Sequence, residues 1–287
     1  MIYFTDALLD SLIKEDVPYI DLTSTVLEIG DKKGIIEFRV RENGVVACTE
    51  EASKILQKLD VSVRQCVASG TFVSEGTVIL SGEGKAQALH MAWKVCLNIL
   101  EYCCGIATHA KKLVDKVNRI DSNIAVVATR KSFPGTKELI MKAALAGGVL
   151  PHRLGLSETV LIFKQHLCFL DEVKSFAGMI PVLKRKCHEK KIIVEVESIE
   201  EARELAILGV DGIQFDKVSC EDLTEYVKMM RKINAHITLI AAGGININNI
   251  EQYAGTGVDV IATSSLFHGK PLDIGAKMNM DRTGQVG

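Results

Sequence analysis

The 287-residue chain has almost no net charge: 34 Lys and Arg against 36 Asp and Glu leave −2 at pH 7. With a pI near 6.4, it has no global attraction to nucleic acid or to an anionic membrane, so any basic function must come from a local cluster. It also lacks an apolar run long enough to span a bilayer. The opening stretch MIYFTDALLDSLIKED has acids where a secretory signal needs cations, and reads as an amphipathic helix. The eight cysteines, at 48, 66, 96, 103, 104, 168, 187 and 220, form no CxxC and no zinc-finger spacing. In a chain without a signal they are expected to be reduced, small core residues. These absences point to a cytoplasmic protein whose partners are small molecules, with neither nucleic acid nor membrane among them. Its 47% hydrophobic content can fill one large core or two smaller ones.

What is present changes rhythm near residue 118. Before it, a helix near 4–14, strands at 33–40 and 44–48, a helix at 49–59, a strand at 76–84 and a long helix at 85–117 predict an α+β domain. Its antiparallel sheet would be covered on one face. After it, short β-branched runs recur at 124–128, 159–163, 191–197, 211–215, 237–241 and 259–263. Helical patterns lie between them at 136–146, 198–209 and 219–233, the last opening on a near capping box, Ser219-x-x-Asp222. Continuous apolar strands alternating with helices are buried on both faces and parallel. The expected fold class is therefore α/β, an incomplete TIM-like α/β barrel with a smaller N-terminal α+β sandwich, and an open doubly wound sheet competes with it. The tail DRTGQVG has no packing pattern and reads as loose.

Ligands of such folds bind at the carboxyl ends of the strands. The residues found there are Arg130 and Lys131; Lys164, Gln165 and His166; Glu195 and Glu197; Asp216; Ala242, Gly243 and Gly244; and Thr263, Ser264 and Ser265. His152 and Arg153, in LPHRLGL, precede the second run. Glu195 and Glu197, two apart, should share a face, and Lys164 should point to the other side of its strand. The small residues at 242–244 and 263–265 leave backbone N–H groups open to a phosphate. Glu195 and Asp216 on neighbouring strands can hold Mg²⁺ or ribose hydroxyls. Each element alone has a bland reading: a solvated loop, a surface ion pair, a turn. Their joint fall on strand ends favours a phosphorylated-sugar site.

The segment TRKSFPGTKELIMKAALAGGVLPHRLGLSETVLIFKQH (129–166) resembles the signature of the quinolinate phosphoribosyltransferase family. LNILEYCCGIAT, VEVES, IQFD, AAGGI and VIATSSLFHG continue the likeness in order along nearly the whole chain, and it is strongest to the branch encoded with molybdate-transport genes. The resemblance implies a sandwich at about 1–108, completed by a strand near 272–280, and a barrel at about 109–271 carrying the active site. It implies a homodimer, or a higher oligomer, in which one subunit's N-terminal domain covers the other's barrel mouth. The implied reaction uses phosphoribosyl pyrophosphate and Mg²⁺, with a ring nitrogen attacking the ribose as pyrophosphate leaves. By position, Lys131, Glu195 and Asp216 would be catalytic, and Glu195 and Asp216 would also hold the metal. Arg130, His152 and Arg153 would line the acceptor carboxylate and phosphate region, and residues 242–244 and 263–265 the 5′-phosphate.

Two departures bear on the acceptor. Tyr102 stands where the family has an arginine, and Phe163 where it has a lysine. Losing two cations should weaken a dianion such as quinolinate by several kcal/mol, whereas an aromatic pair suits a less charged ring. The expected function is phosphoribosyl transfer to a heterocyclic, carboxylated acceptor other than quinolinate. The alternatives are a genuine, decarboxylating quinolinate enzyme and a non-catalytic accessory of molybdate transport.

Overall fold

The computed structural model describes residues 2–170 and 176–280; the tail 281–287, read above as loose, lies outside them. In chain order the elements are α1 (Asp6–Asp16), α2 (Leu22–Val26), β1 (Lys33–Val40), β2 (Gly44–Val45), α3 (Thr49–Lys58), β3 (Ser62–Cys66), β4 (Phe72–Val73), β5 (Val78–Lys85) and α4 (Ala86–Asn118). There follow β6 (Ala125–Ala128), α5 (Lys137–Ala146), β7 (Leu150–Pro151), β8 (Val160–Ile162), α6 (Lys164–Leu167), α7 (Phe176–Lys186), β9 (Ile192–Val196), α8 (Ile199–Ile207) and β10 (Gly212–Asp216). The last are α9 (Cys220–Ile233), β11 (Thr238–Ala242), α10 (Ile250–Ala254), β12 (Val260–Thr263), the 3₁₀ turn Ser265–His268 and β13 (Ile274–Met280). No helix among the described residues is long and apolar enough to cross a membrane.

Two compact units emerge. The first takes in the chain up to Lys111, Phe133–Gly148 and the chain from Phe267. Its main sheet is antiparallel, in the order β13-β1-β5-β3. β1 alternates as a half-buried strand must, with Ile36, Phe38 and Val40 buried. The long α4 buries a helical stripe that includes Leu89, Cys96, Leu100, Cys103 and Ala107. α5, which the linear division at 108/109 gives to the barrel, packs within this unit. Lys142 on α5 binds Glu50 at 2.8 Å and Glu51 at 2.5 Å, and a Cβ at Gly147 would lie 2.3 Å from Ala107 O. Burial pushes the Glu50 carboxyl up, but the hydrogen bonds from Lys142 and Ser69 overcome it and hold it at about 2.

All eight cysteines are free. Only Cys48, Cys96, Cys103 and Cys104 are core residues. Cys66 and Cys168 are exposed, and Cys187 and Cys220 half-buried, which corrects the expectation of eight core thiols.

The second unit comprises Lys112–Ser132 and Val149–Leu266. Its seven strands are ordered β7-β6-β12-β11-β10-β9-β8, with every pairing parallel. The barrel's last strand, β12, pairs with its first, β6, and this pairing rules out the doubly wound alternative. β7 and β8 are the two ends of the sheet, so the barrel is open along one seam. Inside it, Val127, Leu161, Ile193, Ile240, Ala242 and Ala262 form one apolar cluster, with Ala125, Phe163 and Val260 packed against it. Because side chains alternate, every second residue along these strands faces the interior, and the last inward position on each strand reaches the mouth.

Candidate active site

That parity decides which strand-end residues face the mouth. Two residues beyond Ile193 on β9 stands Glu195, and its register partner on β10 is Gln214. Gln214 is only 6% exposed, and its Nε2 donates to Glu195 Oε2 at 2.6 Å. Asp216 is two further along β10, on the same face as Gln214. Burial pushes the Glu195 carboxyl up; the Gln214 amide offsets this, Asp216 adds to the push, and Lys131 pulls down. Lys131 and Asp216 therefore both act on Glu195, from the ends of two other strands.

Arg130 and Lys131 leave β6 in a turn held by Lys131 N donating to Thr129 Oγ1 (3.2 Å) and Ser132 N to Arg130 O (3.0 Å). The adjoining edge brings His152, whose N–H donates to Ala128 O at 2.9 Å. Burial pushes the His152 imidazole down and Arg153 adds to this, while Gln214 opposes it. His152 Nε2 is buried and has no hydrogen-bond partner among the described residues. Burial and the charge of Arg130 lower Arg153, and Arg130, Lys131 and Arg153 form no ion pair among the described residues. Cations without a paired acid that repel one another are stabilised by an anion.

The glycine loop closes the opposite side. Gly243 and Gly244 follow β11 with φ of 89° and 72°, and a Cβ at Gly243 would lie 2.5 Å from Asp216 Oδ1. Only glycine combines that backbone with that approach. Around Gly244 there is open space, so the loop offers bare backbone. Ala242 belongs to the interior cluster and lends only its backbone.

Several expected residues sit differently. β9 ends at Val196, so the two-residue period does not carry Glu197 into the mouth; it is exposed and pairs with Lys164 at 2.8 Å. Lys164 is the first residue of α6 rather than a strand residue, which replaces the opposite-face argument made for it. Thr263 has outward parity and is buried. Its hydroxyl donates to Ile245 O (2.6 Å) and accepts from Ser265 N (3.0 Å), so neither that hydroxyl nor that N–H is open to a phosphate. Ser264, on inward parity with Ala262, is half-buried. Phe163 packs on the interior cluster, stacks on His166 at 5.7 Å, and has the Arg153 guanidinium 5.9 Å from its ring centre. Tyr102, on α4 of the first unit, is 62% exposed. Gln214 was hidden in the sequence by the apolar run around it; its inward parity with Asp216 is the signal that finds it.

Models of the quinolinate phosphoribosyl transferase N-terminal and C-terminal domains match residues 21–104 and 106–277. The chain belongs to the quinolinate phosphoribosyltransferase family. The family likeness spans whole chains. A pyrophosphorylase named ModD from Pasteurella multocida is 35% identical over 274 residues, 96% of this chain and 97% of its own. NadC from Streptococcus pyogenes superposes with a TM-score of 0.88 at 25% identity, over 98% of this chain and 99% of its own. The nicotinate-nucleotide pyrophosphorylase of Ehrlichia chaffeensis gives 0.88 and 25%, over 97% and 100%.

Proposed function

We propose that the chain transfers ribose 5-phosphate from phosphoribosyl pyrophosphate to a ring nitrogen of a carboxylated heterocycle less charged than quinolinate, releasing pyrophosphate. The observation that carries this reading is that Lys131, beyond β6, and Asp216, on β10, both act on the Glu195 carboxyl of β9, with Arg130 and Arg153 free of ion pairs among the described residues. Such a site works by positioning and preorganised charge: the cations meet the leaving pyrophosphate, and the carboxylates face the positive charge that develops on the ribose. The Gly243-Gly244 backbone is suited to the 5′-phosphate.

Among the described residues no cluster of three or more metal-ligating side chains occurs. Two carboxylates, Glu195 and Asp216, nevertheless suit Mg²⁺, which keeps several waters and takes further ligands from substrate phosphates. Bound there, Mg²⁺ would neutralise charge on the pyrophosphate. Phe163, flanked by Arg153 and His166, favours a ring stabilised by stacking and one cation over a dianion, and Lys164 lies on α6 paired with Glu197. The assembly in this reading is a homodimer, with the exposed α4 surface around Tyr102 as the part a second copy offers. Free thiols throughout fit a reducing, cytoplasmic compartment.

The test is turnover: purified protein with Mg²⁺ and phosphoribosyl pyrophosphate, assayed for pyrophosphate release against a panel of heterocycles including quinolinate and nicotinate. Release with a monocarboxylate and little with quinolinate is the expected result. No binding or consumption of phosphoribosyl pyrophosphate with any acceptor overturns the reading.

A further inference from the structure

Gln214 is a polar residue in a place built for apolar ones. The barrel interior it faces is an apolar cluster that includes Ile193, Ile240, Ala242 and Ala262; Ile240 is its register partner on β11, and it is 6% exposed. A buried amide in such surroundings is a liability unless its hydrogen bonds are made. One of them is made to Glu195, at 2.6 Å, across the β9–β10 register pair. An ionised carboxylate only accepts, so Glu195 fixes which way the amide turns: Nε2 toward Oε2, and Oε1 away from it. The Gln214 side chain also acts on His152, which follows the edge strand β7.

We propose that Gln214 is a positioning residue, whose amide holds one oxygen of Glu195 and thereby aims the other at the ribose in the barrel mouth. The proposal rests on the phosphoribosyl-transfer reading. A side chain carried on a rigid strand and locked by a second strand's amide has one orientation, which a transition-state contact requires and loose ground-state binding does not. Among the described residues no hydrogen bond joins the Gln214 side chain to Arg130, Lys131, Arg153 or the Gly243-Gly244 loop, the groups that hold the phosphates in this reading. Its loss should therefore be felt in turnover and hardly in the affinity for phosphoribosyl pyrophosphate.

Gln214→Met keeps the length and volume of the side chain and removes the donor. Steady-state kinetics should show kcat reduced about 10- to 100-fold, the range found when the partner supporting an active-site ligand is removed, with KM for phosphoribosyl pyrophosphate within about threefold and the melting temperature little changed. In a Glu195→Gln background the same substitution should have no further effect on kcat, because Gln214 acts through Glu195. Wild-type turnover with a Gln214→Met kcat above half of wild type overturns the proposal and leaves the functional reading standing. So does a kcat loss that multiplies in full in the Glu195→Gln background, or one matched by a fall in melting temperature. Absence of wild-type turnover with every acceptor removes the functional reading, and this proposal with it.

Discussion

Lys131 and Arg153 form no ion pair among the described residues, so their value to the fold is small and their value to an anion large. Each charge-assisted contact contributes roughly 1.5–3 kcal/mol. Lys131→Ala and Arg153→Ala should each weaken phosphoribosyl pyrophosphate binding about 10- to 100-fold by calorimetry. Unfolding free energy should change by no more than about 0.5 kcal/mol, as for surface positions. Equal losses in binding and stability would make these residues structural. At this scale, sequence parity recovers Glu195 and Asp216 because they end strands whose interior residues are apolar. It misplaces Glu197 and Lys164 because β9 and β8 stop before them, and a two-residue period means nothing past a strand's last hydrogen bond. Thr263 shows the reverse error: a polar residue at a strand end can face away from the mouth and staple a neighbouring loop.

Among elements, those with strong periodicity were legible: β1, α4 and the buried parallel strands from β8 to β12. The ones that escaped had a reason. β3 is almost wholly exposed and reads SVRQC, without a hydrophobic alternation. β7 has two residues. α7 carries Pro181 inside it, and a proline in the interior erases the sequence signature of a helix. The attachment of α5 to the first unit could not be read either, because it depends on Lys142 reaching Glu50 and Glu51, residues about ninety positions away. That cluster predicts a pH dependence. The folded Glu50 carboxyl sits at about 2, below its ordinary 4.5. Its contribution is thus fully present above about pH 4.5 and lost as pH falls toward 2. Lys142→Met should cost on the order of 2 kcal/mol at neutral pH, less than the full price of breaking a buried pair because Glu50 is partly exposed. It should also flatten the fall in stability between pH 4.5 and 2, and denaturant unfolding across that range checks both statements. An unchanged pH profile would place the stabilisation elsewhere.

On the scale of the whole molecule, the two units were visible as a change of rhythm, and their family is shared over nearly the full chain with both a ModD and a NadC. What one chain's sequence does not display is how many copies work together. The proposed homodimer predicts a sedimenting species of about twice the 31.3 kDa chain mass that persists to low micromolar concentration. A purely monomeric profile there would return the whole burden of acceptor recognition to residues of a single copy.

The open seam has a price of its own. A cylinder that does not close presents two rows of unused amide and carbonyl groups, the kind of margin on which foreign strands can nucleate. Here one margin is two residues long and the other three, too brief to template a ladder. The shortness that hid β7 from view is also what keeps the unclosed wall from recruiting its neighbours.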